Sequence, residues 1–247
     1  MPGASSSIPR KIHYCWLSGD PMPALQRRCL RSWEKHLEGY ELICWDRNRF
    51  DVESVPFVRE AVRQRKWAFA ADYIRLHALH SEGGIYLDSD VEVFGSFDPF
   101  LQHRAFSGVE HWPEIPSIAI EGAVLGAVAG HPWIGACLDT YRDRSFDSRD
   151  GSLDDLIVSG IIAGVAEEVL GFERIPERQD LRDGVTIYPP VVFTHARGEF
   201  SASQTVALHH CLGSWRDRSL PKQAWQHVRA WFRRRGFCHL TAGKSAG

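Results

Sequence analysis

Two aspartates one residue apart, Asp88 and Asp90, follow the apolar run Ile85-Tyr86-Leu87 and carry the most chemistry in this chain. Side chains alternate along a strand, so a strand ending in Asp88-Ser-Asp90 projects both carboxylates from one face. Like charges held together are unfavourable, and a hard divalent cation with oxygen ligands, Mg²⁺ or Mn²⁺, is the usual remedy. A lone D-x-D is also common at strand ends that simply face solvent. Its surroundings therefore matter.

The segment before it has helical periodicity from Trp67 to Ser81 and is closed by Gly83-Gly84, where glycine permits a left-handed stop. On that helix Asp72 and Arg75 lie on one face, beside a stripe of Phe69, Tyr73, Leu76 and His80. A surface ion pair at this spacing is worth well under about 1 kcal/mol. The functional reading gives Arg75 a pyrophosphate or sugar hydroxyl and lets Asp72 accept hydrogen bonds from a sugar.

Elsewhere strand and helix patterns alternate, the signature of an α/β layer fold. A strand is expected over Ile12 to Leu17, a helix over Met22 to His36 and a strand over Tyr40 to Trp45, which together form one β-α-β unit. A further helix is expected over Pro56 to Gln64. Later strands are expected near Ala105 to Val109, Ile118 to Val124, Val185 to Tyr188 and Thr205 to His209, with helices near Pro132 to Tyr141 and Leu153 to Leu170. No internal repeat is visible.

The 247 residues, 44% hydrophobic and 24% charged, suffice for one domain with a substantial core. A net charge of −2 gives no global pull toward nucleic acid, and none is expected as a partner. The six cysteines form no C-x-x-C pair and no zinc spacing, which reads as free thiols in a reducing compartment. The opening residues lack the apolar stretch of a secretory signal, and no segment approaches the roughly 18 apolar residues of a membrane span. A cytoplasmic location, soluble or peripheral on the inner face of the membrane, is the expectation.

These residues resemble the glycosyltransferases that carry a D-x-D sugar-binding motif, a group that includes yeast outer-chain mannosyltransferases, bacterial capsular and lipooligosaccharide transferases and, more distantly, the clostridial glucosylating toxins. Members typically begin with a strand like Ile8 to Trp16, then show A-x-x-[SA]-D-x-x-R before G-G-x-Y-x-D-x-D. Here Ala68, Ala71, Asp72 and Arg75 match the first pattern, and Gly83, Gly84, Tyr86, Asp88 and Asp90 the second. The segment Gly126 to Trp133 is similar to the family's G-x-x-x-G-H-P, and His209 to Trp215 to its late H-x-x-x-x-S-W. The similarity spans roughly residues 8 to 215.

The resemblance implies a GT-A fold over 1–215, a nucleotide-sugar donor, Mn²⁺ or Mg²⁺, and transfer to a glycan or lipid-linked glycan acceptor with retention of anomeric configuration. A UDP-sugar is favoured over a GDP-sugar. Asp90 is then the direct metal ligand, and Asp88 contacts the ribose or sugar and reaches the metal partly through water. Trp16 stacks on the base, its alternative being an ordinary core tryptophan. Tyr86 touches ribose or phosphate, or packs in a buried strand. His209 is the candidate third metal ligand by its spacing to Trp215, with His210 as competitor. Ser214 and Trp215 form a flap over the pyrophosphate that excludes water. Two departures stand out: Ser159-Gly160-Ile161 replaces the T-G-P of many relatives, and Glu121 lies where relatives often place an asparagine. Glu121 either stabilises an oxocarbenium ion or acts as nucleophile, or is a surface glutamate.

After Trp215 the pattern changes. Trp225, Val228, Trp231 and Phe232 recur at helical spacing beside Arg229, Arg233, Arg234 and Arg235, so 216–247 reads as a basic amphipathic helical tail that suits an anionic membrane surface. A helix packed on the domain with solvated arginines fits the same residues. Two rival functions use similar residues. Phosphatases of the haloacid dehalogenase type also end an apolar strand in D-x-D, with the first aspartate as nucleophile. They want Thr or Val where this chain has Glu92, and place the motif near the start of the fold. A non-catalytic nucleotide-sugar binding protein would keep the metal site and perform no transfer.

Overall fold

The computed structural model describes residues 7–112, 118–146 and 157–212. Ser214, Trp215 and the expected tail over 216–247 lie outside the described residues. The first unit forms as the alternating pattern implies. Strand β1 (Lys11–Cys15), helix α1 (Ala24–His36) and strand β2 (Glu41–Trp45) make a β-α-β crossover, with β1 and β2 parallel from Lys11↔Glu41 to Cys15↔Trp45. Pro23 precedes the first turn of α1 with φ −60° and so starts the helix two residues later than the periodicity suggests. The buried face of α1 carries Cys29 and Trp33, and the Trp33 indole N–H donates to the Val91 carbonyl at 2.8 Å.

Helices α2 (Pro56–Arg63) and α3 (Trp67–Glu82) follow, and α3 runs into β3 (Gly84–Leu87). The stop between them differs from the expected left-handed cap. Gly83 has φ 64° and ψ 177°, a region that essentially only glycine occupies, and Gly84 has φ 118°. An added Cβ at Gly83 would stand 2.7 Å from the Ala129 backbone nitrogen. Both glycines are therefore required for α3 to fold straight back into a strand.

The remaining elements are β4 (Val91–Val93), β5 (Ala105–His111), β6 (Ile118–Ala127), α4 (Pro132–Asp139), α5 (Val158–Leu170), β7 (Gln179–Asp180), β8 (Val185–Tyr188), β9 (Phe193–His195) and β10 (Ala207–His209). Strands β4, β7 and β9 were not anticipated, because two or three residues are too few to show alternation. A seven-stranded mixed sheet has the order β2-β1-β3-β6-β5-β8-β7, and a second sheet has the order β4-β10-β9. One face of the large sheet packs under α2 to α5, with Phe57, Phe69, Ile74, Trp133 and Ile162 in its core. The other face packs Trp33, Leu37, Phe97, Phe100 and Phe106 beneath α1 and the small sheet.

One correction bears directly on the site. Asp88-Ser-Asp90 is a turn and not the end of a strand, since β3 stops at Leu87 and the Val91 N–H closes back on the Asp88 carbonyl at 2.9 Å. The Asp88 N–H donates to Ala123 O at 3.0 Å, which pins the turn to β6. Turn geometry, rather than strand alternation, aims the two carboxylates. Replacement of Gly83 by alanine should destabilise the fold by about 1–3 kcal/mol from backbone conformation alone, with the approach to Ala129 adding to it. Urea unfolding measures this, and an unchanged midpoint would show that the chain bypasses the constraint.

Candidate active site

Strands β2, β1 and β3 are parallel neighbours, so Asp46, Trp16 and Asp88, each just beyond a C-terminal end, gather at one edge of the sheet. Open α/β sheets bind ligands at this edge. Strand β6 runs antiparallel to β3, with Leu87↔Val124, and therefore delivers Glu121 and Gly122 beside Asp88. A register shift between β5 and β6 occurs at Ser107 to Val109, and the Ser107 hydroxyl bonds to the carbonyls of Glu121 and Val124 at 2.7 and 2.8 Å. Such irregularities re-aim side chains next to functional sites.

Strand β10 completes the group. Antiparallel pairing of β10 with β4 sets His209 opposite Val91, the residue after Asp90. Ligand atoms of Asp88, Asp90 and His209 then lie within 4.8 Å of one another, a group able to hold a metal ion. His209 Nε2 is 3.4 Å from Asp90 Oδ1 and 4.0 Å from Asp88 Oδ2, and its Nδ1 is 3.5 Å from Glu121 Oε1. With Nδ1–H directed at Glu121, loss of the Nε2 proton would leave a nitrogen lone pair facing the two aspartates as a metal ligand. A carboxylate behind a ligating histidine is the usual second layer of a metal site. Two carboxylates and one imidazole suit a divalent cation such as Mn²⁺ or Mg²⁺.

The other two neighbours define what each group can do. Glu121 is 4% exposed, and Oε1 also accepts the Ala123 N–H at 2.8 Å, so it is not a surface glutamate. His210 points to Glu92 Oε2 at 3.0 Å, away from Asp88 and Asp90. Of the two histidines, only His209 joins the aspartates. Burial pulls the His209 imidazole down, but hydrogen bonds with Asp90, Cys211 and Glu121 outweigh it and hold its pKa well above the ordinary value. Burial likewise raises Asp90 and Glu121, and the hydrogen bond from His209 reverses the shift and lowers both.

Asp72 and Arg75 form no surface pair. Their exposures are 7% and 4%, and Arg75 Nη2 donates to Asp72 Oδ1 at 2.6 Å and stands 3.3 Å from Asp88 Oδ1. Arg75 Nη1 donates to the Gly122 carbonyl at 2.5 Å, and the guanidinium lies 4.7 Å above the Tyr86 ring. Tyr86, 1% exposed, donates its hydroxyl to Asp88 Oδ1 at 3.0 Å. Asp88 thus has one oxygen committed to protein and the other turned toward His209. Burial raises Asp72 to about 7 against the pull of the Arg75 guanidinium, and the Val158 N–H at the start of α5 also bonds to it. Removing one partner of such a buried pair typically costs about 3–5 kcal/mol. Gly122 is a close-approach position, since a Cβ there would meet Val158 Cγ1 at 2.6 Å and Arg75 Nη1 at 3.3 Å.

Trp16 is half-buried, and its indole N–H donates to Asp20 O at 2.8 Å. With Leu17, Gly19, Cys44, Asp46, Arg47 and Asn48 it lines a cavity of about 380 Å³. Sequence reasoning passed over Asp46 and Asn48 there, although Asp46 follows β2 much as Asp88 follows β3. It also passed over Glu110, whose Oε1 accepts the Trp112 indole N–H at 2.6 Å and which burial pushes up to about 7. The five cysteines among the described residues are free thiols.

Residues 23–107 match the model of the "glycosyltransferase sugar-binding region containing DXD motif", and the D-x-D of that description falls on Asp88 and Asp90. That stretch, about a third of the chain, is similar to this glycosyltransferase family. Two curated relatives are similar to parts of it. "Inositol phosphoceramide mannosyltransferase 3" of Schizosaccharomyces pombe is 28% identical over 138 residues, 53% of this chain and 36% of that protein. "Subversion of eukaryotic traffic protein A" of Legionella pneumophila is 27% identical over 116 residues, 36% of this chain and 18% of that protein. The chain therefore spans about a third or less of the length of these relatives. Among solved structures, the "PaToxG Glycosyltransferase" superposes with a TM-score of 0.51 at 17% identity over 66% of this chain and 70% of that one, which shows the fold. The glycosyltransferase fold is GT-A.

A raised folded-state pKa gives His209 a stabilising contribution that is fully present below its unfolded value, near pH 6.5, and is lost as pH rises through the folded value. A ligating cation competes with that proton. Metal-free protein should lose melting temperature as pH rises above about 6.5, while the increment given by Mn²⁺ should grow over the same rise. Asp72, also raised, adds to the first trend, so the His209 part is read as the difference from His209→Ala. Parallel curves for wild type and His209→Ala would contradict the assignment.

Proposed function

We propose that this protein is a metal-dependent, retaining glycosyltransferase. It moves a sugar from a nucleotide-sugar donor, a UDP-sugar ahead of a GDP-sugar, to a glycan or lipid-linked glycan in surface polysaccharide synthesis. The observation that carries the reading is the Asp88, Asp90 and His209 group at the C-terminal edge of the parallel strands, the same edge that bears the cavity lined by Trp16. A divalent cation bound there would stabilise the negative charge that develops on the departing nucleoside diphosphate.

The protein groups divide the remaining work. Asp90 and His209 would hold the cation directly. Asp88, anchored at Oδ1 by Tyr86 and close to Arg75, offers Oδ2 to the cation and to the ribose or sugar. Tyr86, Asp72 and Arg75 position Asp88 from beneath, and their burial argues against direct contact with a phosphate. Glu121 orients His209 through Oε1, which also accepts the Ala123 N–H, and acts as a positioning residue in this reading. Trp16 offers a face to the base, next to Asp46 and Asn48. Residues 1–215 form the transferase domain, with Ser214 and Trp215 as the flap that excludes water from the donor.

The mannosyltransferase among the relatives favours a second reading, in which the sugar is mannose and the acceptor is a lipid-linked headgroup. A thermal-shift panel of UDP- and GDP-sugars with and without Mn²⁺ separates the two, since ligand binding raises apparent stability by mass action. A cation-dependent shift with one nucleotide class, abolished in Asp90→Asn, is expected. Absence of any shift would return the haloacid dehalogenase and binding-protein readings to consideration.

The tail over 216–247 is assigned to an anionic membrane on the cytoplasmic side, where it would bring the domain to a lipid-linked acceptor. No helix among the described residues is long and apolar enough to cross a membrane. Full-length protein should sediment with anionic vesicles, and a truncation ending at Lys222 should not. Equal sedimentation of the two would remove the tail from the mechanism.

A further inference from the structure

His209 is carried by a strand of only three residues, paired on each side with another three-residue strand. Ladders this short are marginal on their own, yet a metal ligand must be held to a fraction of an ångström. The structure supplies a further tie on the opposite face of the strand. Side chains alternate along β10, so His209 faces the aspartates and Leu208 and His210 face away. Across the antiparallel pair Leu208 stands opposite Glu92, which puts Glu92 and His210 in diagonal contact at 3.0 Å. Glu92 in turn accepts two hydrogen bonds from Arg28 of α1, from Nε at 3.0 Å and Nη2 at 2.6 Å.

This three-part contact lies close to the site without belonging to it. The same segment wraps Asp90, with the His210 N–H on the Asp90 carbonyl at 3.0 Å and the Leu212 N–H on Asp90 Oδ2 at 3.0 Å. A shift of β10 would therefore move His209 and also loosen the support of Asp90. On its other side β4 is fastened to α1 by Trp33 on Val91 O and by the Val93 N–H on Ser32 Oγ at 2.9 Å. Helix α1 is thus the fixed body, and Glu92 is the point where it grips the ligand strand.

We propose that Arg28, Glu92 and His210 form a clasp that fixes the register of β10 and so sets the affinity of the Asp88, Asp90, His209 group for its cation. All three are positioning residues that act through His209 and Asp90. The charge distribution fits the task. Glu92 is 12% exposed at its side chain and would add an uncompensated negative charge beside two aspartates, and the Arg28 guanidinium balances it while its bidentate geometry fixes orientation. Loss of outer-layer partners of metal ligands commonly lowers affinity 10–100-fold. The inference rests on the reading of that group as a cation site.

Mn²⁺ titration of the full chain by calorimetry, with hydrogen exchange of the β10 amides in the metal-free protein, tests it. Glu92→Ala and Arg28→Ala should each weaken Mn²⁺ binding, by about 10-fold or more for Glu92→Ala, and speed exchange at Ala207 to His209. Glu92→Ala and His210→Ala should be non-additive in Mn²⁺ affinity, as members of one unit are. Arg28 is 58% exposed, so its alanine variant folds even if Glu92→Ala does not. A merely architectural tie would lower the melting temperature and leave the Mn²⁺ affinity of the folded protein within twofold of wild type, and that result overturns the clasp. Wild-type protein that takes up no Mn²⁺, with His209→Ala indistinguishable from it, overturns the cation site and the clasp together.

Discussion

Four carboxylates, those of Asp72, Asp88, Asp90 and Glu121, are crowded around two cationic groups, Arg75 and His209, and the arrangement of this protein follows from that crowding. Arg75 compensates the inner pair and His209 bridges the outer pair. The two halves meet at Asp88, whose Oδ1 lies beside Arg75 while Oδ2 is directed toward His209. Carboxylates in a partly buried space remain ionised only when each finds a donor or a cation. The fold meets this demand from five separate elements, α3, the β3–β4 turn, β6, β10 and the start of α5.

That demand explains features that otherwise look incidental. Gly122 has no side chain because Arg75 must reach its carbonyl past Val158. The shift in the β5–β6 ladder exists where Ser107 has to satisfy two carbonyls so that Glu121 can turn toward His209. The indole of Trp33 reaches the carbonyl of Val91, immediately after Asp90. Each is a packing or hydrogen-bonding detail of a core, and each ends at the same cluster of charge.

The long elements were legible in the sequence because their periodicity is sustained. The helix over Trp67 to Glu82 and the strand over Val185 to Tyr188 stand where the pattern places them. The acid pair and its helix partners were legible as types, but their geometry was not. Asp72 and Arg75 read as a surface pair until β6 covers them, and coverage is a property of strands more than forty residues away. The turn at Asp88-Ser-Asp90 is fixed by Ala123, and no local spacing announces it. Glu121 was visible as a departure from the asparagine of many relatives, yet its partner lies at position 209. The choice of His209 over His210 came from a spacing shared with a family, and the alternation of β10 supplies the physical reason for it.

The distance along the chain between the two halves of the site has a consequence for biogenesis. Leu212 donates to Asp90 across 122 residues of sequence. Closing a loop of that length is entropically slow relative to forming β1, α1 and β2. A nascent chain would carry Asp88 and Asp90 well before the strand bearing His209 exists, and in that interval it holds an acidic turn with no imidazole to complete it. A cation taken up by this group would therefore report that β10 has docked, and a chain shortened before residue 209 would have most of the described core yet no finished site.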